Sequence, residues 1–454
     1  MKLGKNYNDY SYDYSELNKQ QESFAESQDK QEQQKNRMNG RSFAGGLLTG
    51  LLLAVGVSIG AFLFTQMTAQ GGQQDSAQMG LKEQLTGTKS ESVINEDVLT
   101  KMKKIEALID AYYYQEDTDK VQLVEDAYKG MMASLGDPYS TYYSEDELNE
   151  LMEQTEGIYF GIGAYVSMDQ QTGYAMISGV IDGTPAQEAD LWEGDIIYEV
   201  DGTSAYGMEL SEVVALIKGE EGTTVHLTLI RDGVGDYVEK DVVRRQIESP
   251  TVNYEMHEGK LGYVQITEFD DVTADQFAEA LAVLREQGMK GMILDLRSNP
   301  GGNLNTVVDI AGMLLPEGLI VYTEDRNGNR REYNCDGSKE FDLPMVVLIN
   351  GYSASASEIL AGAIQDYGIG TLLGTTTYGK GIVQQIVSLK DGSAIKLTVS
   401  SYYTPKGRNI HGIGIEPDEV CTFDAEAYYN NEVRYDNQLE RAKELLEEKV
   451  AGAD

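Results

Sequence analysis

Cysteine, histidine and proline are scarce in this chain of 454 residues, which contains 2, 3 and 8 of them respectively. The two cysteines, Cys335 and Cys421, lack CxxC spacing, and the sequence leaves open whether they pair. Two cysteines are too few for a disulfide framework or a zinc cluster. The sequence also lacks an HExxH motif and any cluster of metal ligands, so we expect neither a metal site nor a cofactor.

Basic residues are outnumbered as well: 36 Lys and Arg face 75 Asp and Glu, which gives a net charge of −39. A nucleic acid partner is therefore not expected, because phosphate binding needs clustered Lys and Arg. The first 42 residues hold seven basic and seven acidic side chains, so the negative charge belongs to the rest of the chain.

Residues 43–65 form an uncharged and mostly apolar stretch. Roughly 20 helical residues cross the hydrocarbon core of a membrane, so this stretch predicts a single transmembrane anchor. The nearest basic residues before it are Lys30, Lys35, Arg37 and Arg41. The positive-inside rule then predicts a cytoplasmic N-terminus, with the chain from residue 70 onward outside the cell membrane. A cleaved signal peptide is the competing interpretation, but 42 residues before the apolar run exceed its usual length.

The remaining segments are predicted from periodicity and composition. Residues 95–156 have apolar side chains at helical spacing, 157–245 have short alternating strands, and 250–424 alternate strands with helices, which indicates an α/β core. The predicted divisions are a disordered cytoplasmic tail at 1–42, the anchor at 43–65, a linker at 66–94, a helical region at 95–156, a β-rich domain at 157–245, the α/β core at 250–424 and a C-terminal helix at 425–454.

A serine-rich turn between a buried strand and a helix is the first candidate for chemistry. Residues 350–358 read NGYSASASE, so Ser355 stands at the helix N-terminus. Free N–H groups and the helix dipole at this position stabilise a developing oxyanion. Ser355 and Glu358 also have the spacing of a capping box, so an ordinary helix cap explains this segment equally well by itself.

A lysine between two glycines is the second candidate. Lys380 lies in YGKGIVQQ at 378–385, and a lysine can take a proton from serine if burial lowers its pKa. Gln384 could accept a hydrogen bond from the amine without adding a charge. The alternative is an exposed lysine in a glycine turn. His411 is the other candidate base, in a Ser–His arrangement.

A glycine loop after a buried strand is the third candidate. Residues 296–303 read LRSNPGGN, and the amides of Gly301 and Gly302 could donate to an oxyanion.

Together these segments resemble the carboxyl-terminal processing peptidases, also called tail-specific proteases. The resemblance covers about residues 95–424 and rests on DLRSNPGG at 295–302, GYSASASEILAGAIQDYG at 351–368, GTTTYGKGIVQQ at 374–385 and SSYYTPKGRNIHGIGIEPD at 400–418. It implies an α/β peptidase core of crotonase-like ββα layout with an inserted PDZ domain. It also implies that Ser355 is the nucleophile, Lys380 the general base and Gln384 the residue that orients the base. The implied oxyanion hole combines the amide of Ala356 with that of Gly301 or Gly302.

The segment YFGIG at 159–163 resembles the carboxylate-binding loop of PDZ domains. The resemblance implies that Gly161, Ile162 and Gly163 bind the free C-terminus of a protein or peptide substrate. In that family, helical terminal regions can mediate dimerisation, so the resemblance suggests a homodimer through residues 95–155 and 425–450, with plain packing of these helices as the alternative.

The sequence therefore predicts a membrane-anchored, extracytoplasmic serine endopeptidase that recognises protein C-termini. One alternative is a catalytically silent PDZ scaffold of the same fold, which would have no need to retain Ser355, Lys380 and Gln384 together. Another is a crotonase-type acyl-CoA enzyme, which the predicted export and the PDZ domain argue against.

Overall fold

The computed structural model describes residues 92–115, 118–169, 172–430 and 434–453. The predicted tail, the predicted anchor at 43–65 and most of the predicted linker lie outside the described residues. Within these four ranges, no helix is both long enough and apolar enough to cross a membrane.

Helices flank both ends of the described chain and alternate with strands in its second half. Their bounds are α1 Glu96–Tyr112, α2 Lys120–Ala133, α3 Glu145–Glu156, α4 Pro185–Glu188, α5 Leu210–Ile217, α6 Thr273–Glu286, α7 Leu304–Gly312, α8 Ala356–Tyr367, α9 Ala425–Asn430 and α10 Asn437–Ala453.

The strands form four sheets. Their bounds are β1 Thr141–Tyr143, β2 Ile158–Gly161, β3 Ala164–Met168, β4 Ala175–Val180, β5 Ile196–Val200, β6 Thr203–Ser204, β7 Thr224–Ile230, β8 Val238–Val243, β9 Arg245–Glu248, β10 Val252–His257, β11 Leu261–Ile266, β12 Gly291–Asp295, β13 Gly318–Asp325, β14 Arg330–Cys335, β15 Met345–Ile349, β16 Thr371–Gly374, β17 Ile382–Ser388, β18 Ala394–Tyr403 and β19 Glu419–Val420.

The central sheet has the order β10-β11-β12-β15-β16-β19. Its strands from β11 onward pair in parallel, and β10 is antiparallel to β11. All five residues of β12 and of β15 are buried, which is expected where helices cover both faces of a parallel sheet. Side chains of α6, α7 and α8 pack on one face, and Ala442 and Leu446 of α10 pack on the other. The carboxyl ends of β12 and β15 lead into the glycine loop and the serine turn.

A second sheet has the order β1-β18-β13-β14, with β17 also paired to β18. Its antiparallel β17–β18 pair places Gln384 opposite Thr398, and β1 pairs with the same strand through Thr141 and Lys396. A segment that precedes the β-rich domain in sequence therefore joins the sheet that contains Gln384 and whose strand β17 begins directly after the loop of Lys380.

The β-rich domain contains a sheet of order β3-β4-β5-β7-β8, with β6 on β5, around a separate apolar core. Strands β2 and β9 pair with each other, Ile158 opposite Glu248, where the chain enters and leaves this domain. The domain is thus inserted between two parts of the chain that pack together elsewhere.

Two details differ from the sequence-based expectations. The apolar spacing from about Leu304 to Leu315 predicts a helix over that range, but α7 ends at Gly312, and Pro316 disfavours a helical conformation at the residue before it. The expected C-terminal helix is divided into α9 and α10. The Asp436 carboxylate accepts the N–H groups of Gln438 and Leu439, both at 3.0 Å, and so starts α10. Cys335 and Cys421 are both free thiols.

Candidate active site

Ser355 occupies a strained turn between β15 and α8. Its backbone φ is 53° and ψ is −110°, a conformation that a residue with a Cβ atom rarely adopts. Its carbonyl accepts a hydrogen bond from the hydroxyl of Tyr402 at 3.1 Å, which helps to hold the turn. Ser355 is 6% exposed, so its hydroxyl is almost completely shielded from solvent.

The neighbouring serines have structural roles. The hydroxyl of Ser353 donates to the carbonyl of Leu296 at 2.8 Å, and that of Ser357 donates to the carbonyl of Asn299 at 3.0 Å. Both side chains are fully buried. Their protons are already used to fasten the serine turn to the glycine loop, so Ser355 is the member of the SASAS segment that suits nucleophilic attack.

Lys380 is a buried amine in the loop before β17. Its side chain is 4% exposed, and its Nζ lies 4.5 Å from the centre of the Tyr139 ring. Burial, and to a lesser extent the nearby charge of Lys396, lower the pKa of Lys380 to about 7, against the smaller opposing effects of Asp137 and Glu358. The exposed glycine-turn lysine that the sequence left open as an alternative is therefore not what the structure contains.

Glu358 joins the serine turn to the lysine loop. Its Oε2 accepts the N–H groups of Ser355 and Lys380, each at 2.8 Å. Its Oε1 accepts the hydroxyl of Thr377 at 2.6 Å and the N–H of Gly379 at 2.7 Å. Burial raises the pKa of Glu358, and these four hydrogen bonds oppose that rise. The capping box expected from the sequence is present, but its glutamate also fixes the loop of the base.

Gln384 lies on β17, four residues after Lys380, and is 3% exposed. Its Nε2 donates to the hydroxyl of Thr398 at 3.2 Å. Its Oε1 is buried and accepts no hydrogen bond from any part of the chain that the structure describes. A buried carbonyl oxygen without a donor is unfavourable by about 1–3 kcal/mol, so this oxygen is available to a donor such as an amine.

The glycine loop lies directly against the serine turn. The N–H of Ala354 donates to the carbonyl of Asn299 at 3.0 Å. A Cβ atom on Gly301 would stand 2.8 Å from the carbonyl oxygen of Ala354 and 2.9 Å from the Cβ of Ser355, so only glycine fits. The N–H of Gly301 already donates to Asn299 Oδ1 at 2.8 Å.

One amide of the glycine loop and one of the serine turn have no acceptor among the described residues. The N–H of Gly302 donates to no described residue, and that of Ala356 is the first of α8, where a helix offers no internal acceptor. The sequence did not decide which glycine contributes to the oxyanion hole. Gly302 has an N–H group without an acceptor among the described residues, whereas Gly301 allows the glycine loop to pack closely against the serine turn.

His411, the alternative base, lies with its backbone against the lysine loop. A Cβ atom on Gly381 would be 2.6 Å from the backbone nitrogen of His411. The imidazole itself is exposed, unlike the buried amine of Lys380. The described ranges also contain no group of three or more His, Cys, Asp or Glu residues arranged to hold a metal ion.

The sequence reasoning missed the residues that surround the amine. Residues 137–143, here called the tyrosine segment, lie within the predicted helical region at 95–156, and the sequence analysis predicts no functional residue among them. The hydroxyl of Ser140 in this segment accepts the N–H of Thr398 at 3.0 Å, and its Tyr139 ring covers Lys380. Local periodicity does not predict such contacts, because they join residues more than 230 positions apart.

In the β-rich domain, a groove runs between the 159–163 loop with β3 and helix α5. Gly161, Ile162 and Gly163 all line it, as the sequence predicts for a carboxylate-binding loop. Apolar side chains form much of the remaining wall: Ile162, Val166, Val214 and Ile217. The amides of the loop and this wall suit an extended peptide with an apolar last residue.

The chain is similar to known proteins over most of the described residues. A family model described as peptidase family S41 matches residues 260–421, one described as PDZ domain matches 176–231, and one described as activating protease CtpB N-terminal domain matches 53–147. The carboxy-terminal processing protease CtpA of Bacillus subtilis (strain 168) is 38% identical over 334 residues, which cover 73% of this chain and 71% of the relative. The carboxyl-terminal-processing protease of Synechocystis sp. is 36% identical over 329 residues, 72% of this chain and 77% of the relative. Among solved structures, the photosystem II D1 C-terminal processing protease has 30% identity and a TM-score of 0.43, and the match covers 74% of this chain and 96% of that one.

Proposed function

Because this chain belongs to peptidase family S41 and is a carboxy-terminal processing serine protease with a PDZ domain, we propose that Ser355 and Lys380 cleave its substrates as nucleophile and general base. The observation that carries the proposal is the burial of the Lys380 amine in a loop that Glu358 ties to the backbone of Ser355. A buried amine that is neutral near pH 7 can accept a proton, which an exposed lysine cannot do.

The proposed reaction is an acyl transfer. Neutral Lys380 takes the hydroxyl proton of Ser355 while Oγ attacks the scissile carbonyl. The amides of Ala356 and Gly302 stabilise the resulting oxyanion, and the proton passes to the departing amine of the substrate. Water then attacks the acyl-enzyme, with Lys380 again as the base, and releases the new C-terminus.

Gln384 is proposed to orient the base. Its buried Oε1 has no donor among the described residues, while its Nε2 is fixed by Thr398. A hydrogen bond from the Lys380 amine to Oε1 would satisfy that oxygen and aim the nitrogen lone pair without adding a negative charge. This is the role that the third member plays in a Ser–His–Asp arrangement.

Substrate selection is proposed to occur in the PDZ groove. The Gly161–Gly163 amides bind the α-carboxylate, and the pocket lined by Val166, Val214 and Ile217 accepts an apolar terminal side chain. Protein or peptide chains with a free, apolar C-terminus are therefore the proposed substrates.

Membrane anchoring through residues 43–65 and an extracytoplasmic catalytic domain remain proposals supported by the sequence pattern alone. A full-length chain with a tag before residue 42 tests both. In intact cells, added protease should remove the described domains and leave the tag protected. A chain recovered entirely in the soluble cytoplasmic fraction would contradict the proposal.

A homodimer through the N-terminal helices is proposed as well. None of the residues of α1 or α2 is buried, although both helices carry apolar stripes. The exposed apolar residues are Leu99, Met102, Ile105, Leu108, Val121, Val124 and Met131. Several exposed apolar residues on adjacent helices form an apolar patch, and such patches are typical of protein–protein interfaces. Light scattering of the detergent-solubilised chain should give twice the protomer mass, and a monomer at micromolar concentration would exclude it.

The catalytic proposal is tested with an unfolded protein that ends in apolar residues, offered with a free or an amidated C-terminus. Wild type should cleave it, amidation should weaken cleavage, and Ser355→Ala and Lys380→Ala should each be inactive. If Ser355→Ala still cleaves, the nucleophile is misassigned. If the wild type binds the protein and never cleaves it, the scaffold alternative replaces the enzymatic one.

A further inference from the structure

Two buried lysine side chains lie against tyrosines of the tyrosine segment, and the proposed mechanism uses only one of them. Lys380 is 4% exposed and Lys396 is 6% exposed. No carboxylate in the described ranges forms an ion pair with either amine. Charged groups in such surroundings are unfavourable unless they are paired, so a second lysine here requires an explanation.

Lys396 points into the same space as the residues around the base. It lies on β18 two residues before Thr398, so the two side chains share one face of the strand. Thr398 in turn receives the hydrogen bond from Gln384, which is opposite it on β17. Lys396 is thus a neighbour of the orienting glutamine on the face that leads to Lys380.

The tyrosine segment covers both amines. The ring of Tyr139 lies 4.5 Å from the Nζ of Lys380, and the ring of Tyr143 lies 5.1 Å from the Nζ of Lys396. The hydroxyl of Tyr143 also accepts a hydrogen bond from the Lys396 amine at 2.6 Å. Two like charges under one apolar cover repel each other more strongly than in water, because the local dielectric constant is low.

We propose that Lys396 is a positioning residue for the reaction: its ammonium group, fixed by Tyr143, disfavours a proton on Lys380 and keeps the base in its proton-accepting form. The inference rests on the proposed role of Lys380 as general base.

The charges around the pair agree with this division of roles. Burial is the main cause that lowers the pKa of both amines, to about 7 for Lys380 and to about 8 for Lys396, and the charge of Lys396 contributes to the lower value of Lys380. Asp137 and Glu358 face Lys380 and favour its protonation, and Lys396 opposes them. Burial raises the pKa of Tyr139, and raises that of Tyr143 to about 12, so both phenols stay neutral in this range.

The test is the pH dependence of kcat/KM for the full-length protein in detergent, with a peptide substrate that ends in a free apolar residue. Lys396→Met removes the charge and keeps the length of the side chain. The pH at which kcat/KM reaches half of its plateau on the acidic side should rise by about one unit. Below that pH, kcat/KM should be roughly tenfold lower than in the wild type, and at alkaline pH it should recover almost completely. Lys396→Arg keeps a charge and should restore the original limb.

Several outcomes would overturn the proposal. An unchanged limb with lower activity at every pH would mean that Lys396 only supports the fold. A well-folded Lys396→Met that is inactive even at alkaline pH would mean that Lys396 itself takes part in the chemistry. If Lys396→Met does not fold, Tyr143→Phe provides the second test, because it removes the hydroxyl that stabilises the Lys396 ammonium group. The acidic part of the pH profile should then move to higher pH, by less than in Lys396→Met. A profile that does not move refutes the proposal. Activity in Lys380→Ala would instead show that the base assignment has failed.

Discussion

The backbone N–H of Lys380 donates to the carboxylate of Glu358 at 2.8 Å, across 22 residues of sequence. The same oxygen accepts the N–H of Ser355, so one carboxylate fixes the relative position of the two loops that carry the proposed nucleophile and base. Glu358 is thus both a member of the capping box of α8 and the carboxylate that links the two loops of the candidate active site.

Glu358→Gln should lower both stability and activity. The amide has a single acceptor oxygen, and its NH₂ group would face donors now bound by the carboxylate. We expect unfolding to become easier by about 2–4 kcal/mol and kcat to fall at least tenfold. Chemical denaturation and steady-state kinetics measure both effects. The control Glu444→Gln, an exposed carboxylate on α10, should change neither, and equal effects in the two variants would contradict the assignment.

The wild-type enzyme should gain activity as pH rises through about 7. The pKa of Lys380 is lowered to about 7, chiefly by burial, and the proposed base works only when it has lost its proton. A plot of kcat/KM against pH should therefore rise tenfold per unit below that value and level off above it. Activity that is flat from pH 5 to pH 9 would exclude a lysine base.

Lys380→Met should stabilise the protein near neutral pH. Unfolded lysine keeps its proton up to its ordinary pKa of 10.5, whereas the folded state releases it near 7, so the wild type gains stability as pH rises between these values. The variant should be more stable by about 2–4 kcal/mol at pH 7, and its advantage should shrink toward pH 10. Urea denaturation at several pH values measures the difference, and an advantage that does not depend on pH would argue against a titrating amine.

Gly301→Ala should impair catalysis by displacing the serine turn. Its Cβ would meet Ala354 and Ser355 at under 3.0 Å, and its φ of 108° adds strain. We expect kcat to fall by about 100-fold, as for a damaged oxyanion hole. Gly288→Ala is the matched control, because its φ is 85° and its Cβ would meet nothing within 4 Å. It should cost about 1 kcal/mol of stability without changing kcat.

Val214→Asp should weaken recognition of C-termini. Val214 lines the groove on α5, and a carboxylate there would repel the peptide carboxylate and remove apolar contact. Measured by fluorescence anisotropy in a Ser355→Ala background, the affinity for an apolar-ended peptide should fall at least tenfold. Leu216→Asp, on the exposed side of the same helix, should bind as before. Equal loss in both variants would place the binding site elsewhere.

The sequence allowed the local elements of the site to be predicted. Ser355 follows a buried strand and precedes a helix, Gly301 and Gly302 follow another, and Lys380 stands between two glycines. Each of these features depends on neighbours within about ten residues, which strand and helix patterns describe well. The parallel sheet then brings the ends of β12 and β15 together.

The surroundings of the base could not be predicted in the same way. Tyr139 and Tyr143 meet Lys380 and Lys396 only because β1 adds to the edge of β18, a pairing across about 250 residues. Edge pairing depends on three-dimensional packing, and a three-residue strand leaves almost no periodic signal. For the same reason, the choice between Gly301 and Gly302 needed the hydrogen bond from Gly301 to Asn299.

The pairing of β1 with β18 also has a consequence for how the protein is made. A ribosome delivers residues 141–143 long before residues 394–403, so a growing chain holds Tyr139 without the lysines that it will cover. Such a chain already contains the residues of the PDZ groove, but it lacks Lys380 and Lys396, which the tyrosine segment covers in the finished fold. Under the proposed mechanism, cleavage therefore requires a chain that has been extended through β18.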